Sequence, residues 1–213
     1  MKNKQRMPGT QDLITRMRVK ITLTDEILGT KPGDPEVYRT YVGSKAPDAA
    51  TMEEEVSMLG ADEVADKGKT VFLKMEDGTP CIGANQILGF FKEACSAFNR
   101  MPGKPLGSMT AHKKVIDQNI FVEPQYIPIV FEGEVGSCQR PLRAQTQQGE
   151  RISLTESETA PELSTLTFEV CSMNKNLLPT VRAWLDYGSW HGLGQWRNSG
   201  KGTFIWEELE QEC

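Results

Sequence analysis

Two kinds of hydrophobic periodicity alternate along this chain, and their order restricts the fold more than any other feature of the sequence. Residues 17–24 alternate Val19, Ile21 and Leu23 with polar side chains, which is the pattern of a half-buried strand. Residues 165–170 repeat this alternation, and residues 203–206 predict a short closing strand. We therefore expect these three segments to be strands of one sheet.

A helix is predicted between the first two of these strands. Over residues 85–100 the apolar residues recur at spacings of three and four, so they share one face. Asn85 is the candidate N-cap, and the Pro-Gly pair at residues 102–103 ends the helix. The opposite face is polar and includes Gly89. Glycine in a helix interior costs about 1 kcal/mol relative to alanine, which suggests that some group closely approaches the backbone there. Tight packing on a neighbouring strand is the commoner cause of such a glycine.

A second helix is predicted over residues 179–188, where Arg182 and Asp186 have the i,i+4 spacing of an ion pair. Residues 126–131 are rich in β-forming side chains and predict a further strand. The order of strand, helix, strands, helix and strand predicts an α+β fold with a ferredoxin-like (βαββαβ) core that carries insertions.

The length of 213 residues predicts one domain over residues 1–213. Residues 25–80 are dense in turn formers and form an insertion-rich region. An Arg-rich hairpin is predicted at about residues 138–156, with residues 147–150 as its loop.

Composition excludes several classes of protein. The longest apolar runs are far shorter than the roughly 20 residues of a membrane helix, and the basic N-terminus is not followed by the apolar stretch of a secretory signal. We therefore expect a cytoplasmic protein without a membrane partner. Five widely spaced cysteines and two histidines predict neither a disulfide scaffold nor a metal site, and no motif predicts a cofactor.

The net charge of −5 is unevenly distributed. Residues 48–66 carry seven acidic and no basic side chains, and residues 203–213 carry four acidic and no basic ones. The rest of the chain holds 18 acidic and 24 basic residues, which is enough for a local anion-binding surface. Both acidic stretches are equally compatible with ordinary solvated faces.

The segment GLGQWRNSGKG at residues 192–202, here called the glycine loop, is the strongest candidate site. Four glycines in eleven residues favour positive φ angles or close backbone approach, and successive exposed amides form a concave surface for phosphate oxygens. Arg197 and Lys201 add positive charge, while Trp190 and Trp196 add rings on which a base could stack. The segment is neither a Walker A loop nor a dinucleotide fingerprint, and a flexible connection is the alternative.

The G-x-G-x5-G-x-G spacing before the last strand resembles the C-terminal glycine-rich loop of the RAMP superfamily of CRISPR-associated RNA-binding proteins. IGANQILGFFK at residues 82–92 is similar to the I-P-G-S-S-L-K-G-x-x-R segment of the guide-RNA backbone subunits. Gly83 stands where that pattern has proline, and Leu88 where it has lysine, whereas Lys92 keeps the final positive charge. The resemblance covers roughly half of the chain and implies a RAMP-type ferredoxin-like core.

By this resemblance the path of a guide RNA is lined by residues of the glycine loop, with a second set opposite. The loop residues are Gly192, Gly194, Gly200 and Gly202, and those opposite are Asn85, Gln86 and Lys92. Side-chain chemistry adds Trp196, Arg197 and Lys201 to the candidate RNA-binding residues. The hairpin with Arg140, Arg143 and Arg151 takes the place of the family's thumb, although a solvated strand face is an equal alternative.

Some RAMP proteins cleave RNA with a histidine or with an aspartate after the first strand. His191, beside the glycine loop, and Asp34 are the candidates, and Asp25 and Asp48 compete with Asp34. A lone histidine without a placed partner is more often a polar residue at a helix end.

These observations predict a non-catalytic subunit that holds single-stranded guide RNA by its phosphates and packs against copies of itself or other CRISPR-type subunits. A phage-encoded component or decoy that blocks a host CRISPR complex fits the same pattern. The alternatives are a metal-independent endoribonuclease that uses His191 and a structural phage assembly protein that binds only protein.

Overall fold

The computed structural model describes residues 14–33, 69–146 and 149–210, with the backbone alone for residues 141–146 and 149–154. In chain order the strands are β1 (Thr15–Leu23), β2 (Ile27–Leu28), β3 (Lys31–Pro32), β4 (Thr70–Val71), β5 (Leu73–Lys74), β6 (Pro80–Gly83), β7 (Ile120–Glu123), β8 (Tyr126–Pro128), β9 (Gly136–Thr146), β10 (Gly149–Ala160), β11 (Thr165–Ser172) and β12 (Phe204–Leu209). The helices are α1 (Ala84–Asn99), α2 (His112–Asn119) and α3 (Leu178–Tyr187), with short 3-10 turns at Lys175–Leu177 and Arg197–Ser199.

The central sheet has the strand order β12-β1-β11-β7, and all its neighbours are antiparallel. In the register, Ile21 of β1 lies opposite Leu166 of β11 on one side and Trp206 of β12 on the other. With α1 after β1 and α3 after β11, this is the βαββαβ order of a ferredoxin-like core. The α+β fold predicted from the sequence is confirmed.

Both long helices cover the same face of the central sheet. The alternation in β1 buries Met17, Val19, Ile21 and Leu23 completely, because these side chains point toward the helices. The ring of Phe91 on α1 lies 5.6 Å from that of Trp184 on α3, and the Trp184 Nε1–H donates to the Gly107 carbonyl at 2.8 Å. The apolar faces of α1 and α3 thus complete the core with the sheet.

The other face of this sheet carries charged side chains in pairs. Arg16 donates to Glu123 at 3.2 Å and to Glu169 at 2.9 Å, and Lys20 pairs with Glu207 at 2.9 Å. Glu123 and Glu169 also lie near Cys171 in a group whose ligand atoms fall within 4.8 Å of one another. The Arg16 guanidinium donates to the side chains of Glu123, Glu169 and Cys171, so a protein side chain supplies the positive charge next to this group.

Strands β9 and β10 form a hairpin, and it is longer than the one that the sequence predicted. The base of β10 pairs with β2 through Thr159 and Ala160, and Ser157 pairs with Thr70 of β4. These pairings place the hairpin base beside the segment that follows β1. A separate small sheet, β5-β6-β8, leads into α1 through Gly83.

The strand predicted over residues 126–131 is present as β8, but in the small sheet, and the sequence predicted neither β7, which completes the central sheet, nor α2. Two local expectations were wrong. Gly83, not Asn85, is the N-cap of α1, and the cap makes no side-chain hydrogen bond. Arg182 pairs with Glu208 of β12 at 3.0 Å instead of Asp186, which accepts a hydrogen bond from Trp206.

The four cysteines in the described part of the chain, Cys81, Cys95, Cys138 and Cys171, are all free. Among the described helices none is long and apolar enough to cross a lipid bilayer.

Candidate nucleic-acid interface

The two ends of the glycine loop close on each other. The Leu193 N–H donates to the Gly202 carbonyl at 2.9 Å, and Leu193 itself is buried. A Cβ on Gly192 or Gly202 would overlap the backbone of the opposite end, and Gly202 also has a φ of +69°. The close crossing therefore requires glycine at both positions. At its base the loop is closed, unlike the open cup of amides that the sequence suggested.

The loop base is anchored to the segment between β1 and β2. The Gly202 N–H donates to the Glu26 carbonyl at 2.8 Å, and Gly194 lies against Leu28. The Lys201 ammonium pairs with Glu26 at 2.9 Å and with Asp25 at 3.0 Å. The hydrogen bond to Glu26, reinforced by that to Asp25, raises the pKa of Lys201 above its usual value.

A carboxylate of α1 holds the middle of the loop. Glu93 pairs with the guanidinium of Arg197, and its other oxygen lies 2.9 Å from His191 Nε2. The His191 ring packs on Tyr187 with 5.5 Å between ring centroids, and the side chain is only 15% exposed. Glu93 thereby fixes the entry and the tip of the loop to the same helix.

The hairpin contacts the loop tip through Arg140. Its Nη2 donates to the Gln195 side-chain oxygen, and its guanidinium carbon lies 5.5 Å from the centroid of the Trp196 ring. Burial lowers the pKa of Arg140, although this residue stays cationic. This contact joins the hairpin to the glycine loop, and the sequence predicted each of them separately as part of the interface.

The start of α1 lies beside the same segment. Gln86 donates to the Thr30 hydroxyl at 2.6 Å, so Gln86 and Gly194 contact the same stretch that follows β1. The side chain of Asn85, the residue before Gln86, is exposed. Lys92, by contrast, pairs with Asp117 of α2 at 2.5 Å, and it is the next residue, Glu93, that contacts the loop.

Gly89 lies on the exposed side of α1. A Cβ at Gly89 would meet nothing within 4 Å in the described structure, so tight packing on a neighbouring strand is not the reason for this glycine. Gly200, at the loop tip, is similarly open and has a φ of +84°.

Several candidates lie farther from the glycine loop or outside the described residues. Arg143 and Arg151 are in the distal hairpin, where Ile152 pairs with Arg143 and Ala144 with Arg151 in the backbone register. Their side chains, like all of Asp34, Asp48 and the acidic stretch 48–66, are outside the described residues. Asp25, the other competitor for a catalytic role, is engaged by Lys201.

The formal charges around the loop cancel among the described side chains. The cations are Arg140, Arg197 and Lys201, and the carboxylates are Asp25, Glu26 and Glu93. Glu93 was not predicted from the sequence, because its partners His191 and Arg197 lie 98 and 104 residues away and no local spacing rule connects them. The interface is therefore aromatic and close to neutral, rather than strongly basic.

No protein-family model matches this chain, and no curated protein sequence matches it. Among solved structures, the chain is similar to a chain of the cryo-EM structure of the Type III-B Cmr-beta bound to cognate target RNA. The TM-score is 0.50 at 10% sequence identity, and the match covers 93% of this chain and 60% of that chain. At this identity the similarity shows a shared fold, over about three fifths of the other chain's length.

Proposed function

We propose that this protein is a non-catalytic RNA-binding subunit that holds single-stranded RNA across the glycine loop, the start of α1 and the base of the hairpin. The observation that carries the proposal is the convergence of the hairpin base and α1 on the glycine loop, through the contacts of Arg140 and Glu93, where Trp196 remains 41% exposed. The chain of similar fold belongs to the structure of the Type III-B Cmr-beta bound to cognate target RNA, which supports the same ligand class here.

Phosphate binding at this surface has to compete with internal ion pairs. Arg197 and Lys201 each have a carboxylate partner, so a phosphate gains less from them than from free cations. We therefore expect a shallow dependence of affinity on salt, and a larger share of the binding from ring stacking.

The resemblance to the RAMP guide-RNA backbone subunits supports a place in a larger assembly. The distal hairpin, with Arg143 and Arg151, extends beyond the strand pairings that fix its base. In this proposal the distal hairpin contacts a neighbouring copy or another CRISPR-type subunit, and the bound strand is the guide RNA.

Fluorescence anisotropy with a labelled 30-nucleotide single strand tests RNA binding directly. We expect saturable binding by the full chain and weaker binding of the matching duplex. Lys201→Glu lowers the affinity, while Lys175→Glu, at an exposed position on the 3-10 turn, makes the same change in net charge and does not. Absence of binding by the wild-type chain overturns the proposal, and self-assembly without RNA binding supports a structural protein instead.

The endoribonuclease alternative depends on His191. Its contact with Glu93 supplies the carboxylate partner that a general base needs, but the side chain is largely buried and the same carboxylate holds Arg197. This geometry favours a role in fixing the loop. We expect no cleavage of labelled RNA by the wild type or by His191→Ala, and cleavage by the wild type alone would favour the enzyme.

A further inference from the structure

We propose that Trp196, supported by Arg140, is a stacking platform for one unpaired base of the bound strand. The inference rests on the proposed function and makes it more specific, because it names the part of the RNA that this position contacts. Three features of the described structure lead to it.

The first feature is the backbone of Trp196. Its φ of +59° and ψ of 30° place a bulky residue in the left-handed region, which residues other than glycine and asparagine rarely adopt. Such conformations persist where the surrounding structure enforces them and are concentrated at functional sites. Here the conformation positions the indole at the tip of the loop with 41% of its surface exposed.

The second feature is the partner of the indole. The Arg140 guanidinium lies over the Trp196 ring, and its Nε is buried without a hydrogen-bond partner within the described part of the chain. A cation is thus partly desolvated at a position where it holds the ring from the hairpin side. Nη2 is fixed by Gln195, the residue directly before Trp196.

The third feature is the cancellation of charge around the loop. Since Arg197 and Lys201 are paired with carboxylates, the electrostatic attraction for a phosphate chain is weak. Stacking does not depend on net charge, and every base offers a ring face, so the platform accepts any unpaired base. A duplex keeps its bases stacked internally and offers none to Trp196.

The test compares single-strand affinities of variants of the full chain. Trp196→Ala is expected to weaken binding of a 12-nucleotide single strand by about 5- to 100-fold, and Trp196→Phe by less. Phe121→Ala is the matched control, because Phe121 is 42% exposed but lies on the opposite, open face of the central sheet. Thermal melting of each variant establishes that it is folded.

Tryptophan fluorescence gives a second measurement that does not depend on the alanine variant. In a Trp190→Phe background, which removes the other exposed tryptophan, single-stranded RNA is expected to quench the emission. The quenching disappears when Trp196→Phe is added, and it is absent with the duplex. A fully abasic strand of the same length binds wild type and Trp196→Ala equally.

The outcomes separate the inference from the proposed function. Suppose that the wild type binds RNA, that Trp196→Ala binds it equally well, and that adding Trp196→Phe to the Trp190→Phe background leaves the quenching unchanged. The stacking platform is then wrong, and the RNA-binding function stands. If Trp196→Ala changes only the oligomeric state, the indole contacts protein and the inference is also overturned. If the wild type binds no RNA, both fail.

Discussion

The carboxylate of Glu93 lies against the guanidinium of Arg197, so that an acidic side chain of α1 neutralises a cation of the glycine loop. The same carboxylate contacts His191 at 2.9 Å. Glu93 therefore has two effects on the proposed RNA surface. It fixes the shape of the loop, and it lowers the attraction of the loop for phosphate.

Glu93→Gln is expected to strengthen the binding of single-stranded RNA. The amide keeps much of the shape and hydrogen bonding of the side chain but removes the charge that competes with a phosphate for Arg197. One additional phosphate contact steepens the slope of log affinity against log salt by about 0.7 for a single strand. Anisotropy titrations at several salt concentrations measure both quantities.

Glu162→Gln is the matched control for this change in charge, since Glu162 is exposed on the turn before β11. It should leave the salt slope as in the wild type. A loss of RNA affinity in a folded Glu93→Gln variant contradicts the competition between Glu93 and phosphate.

Gly202→Ala is expected to destabilise the protein and to impair RNA binding. The substitution strains a residue at φ +69° and forces a Cβ into the Leu193 backbone, at a cost of roughly 2 to 4 kcal/mol. Gly200→Ala, at φ +84° with nothing within 4 Å, carries the strain alone, which is about 1 kcal/mol. Urea unfolding gives both values, and equal losses in the two variants argue against the closed crossing.

The core elements were predictable from periodicity, but the ion pairs were not. Alternation in residues 17–24 and the three- and four-residue spacing of α1 are local patterns, and both elements form close to the predicted bounds. Sequence spacing also predicted an Arg182–Asp186 pair, yet β12 places Glu208 nearer to Arg182. Contacts such as Glu93 with His191 depend on how α1 and α3 pack, which no local pattern encodes.

The choice of the second core strand shows a related limit. Residues 126–131 hold five β-forming side chains, interrupted by Pro128, whereas β7 holds three among its four residues. Pairing with β11, in which Val122 lies opposite Val170, selects the shorter segment for the core sheet. Tertiary pairing therefore decided between two segments that sequence propensity ranked in the opposite order.

The contribution of Lys201 to stability is expected to disappear at high pH. Its folded-state pKa is raised above the usual 10.5 by Glu26 and Asp25, so its ion pairs contribute fully below about pH 10.5 and are lost as the pH rises through the folded-state value. The wild type should exceed Lys201→Gln in free energy of unfolding by about 1 kcal/mol at pH 8. Urea unfolding of both at increasing pH measures this, and a difference that stays constant above pH 10.5 refutes the assignment.

Gly89→Ala is expected to raise the free energy of unfolding by about 1 kcal/mol, because alanine is the better helix former and the site is open. In the proposed path the RNA backbone passes over the exposed side of α1 between Gln86 and Glu93, so the added methyl group should weaken RNA binding a few-fold. Ser96→Ala on the same helix is the control, with a smaller gain in stability and unchanged affinity. A stabilised Gly89→Ala variant with wild-type affinity places the RNA elsewhere.

Ultraviolet crosslinking of the full chain to a single-stranded RNA, followed by mass spectrometry of the crosslinked peptides, tests the central claim most directly. We expect crosslinks in the glycine loop at residues 192–202, above all at Trp196, and near the start of α1 at Asn85 and Gln86. Crosslinks confined to the open face of the central sheet, around Phe121 and Lys20, would contradict the account.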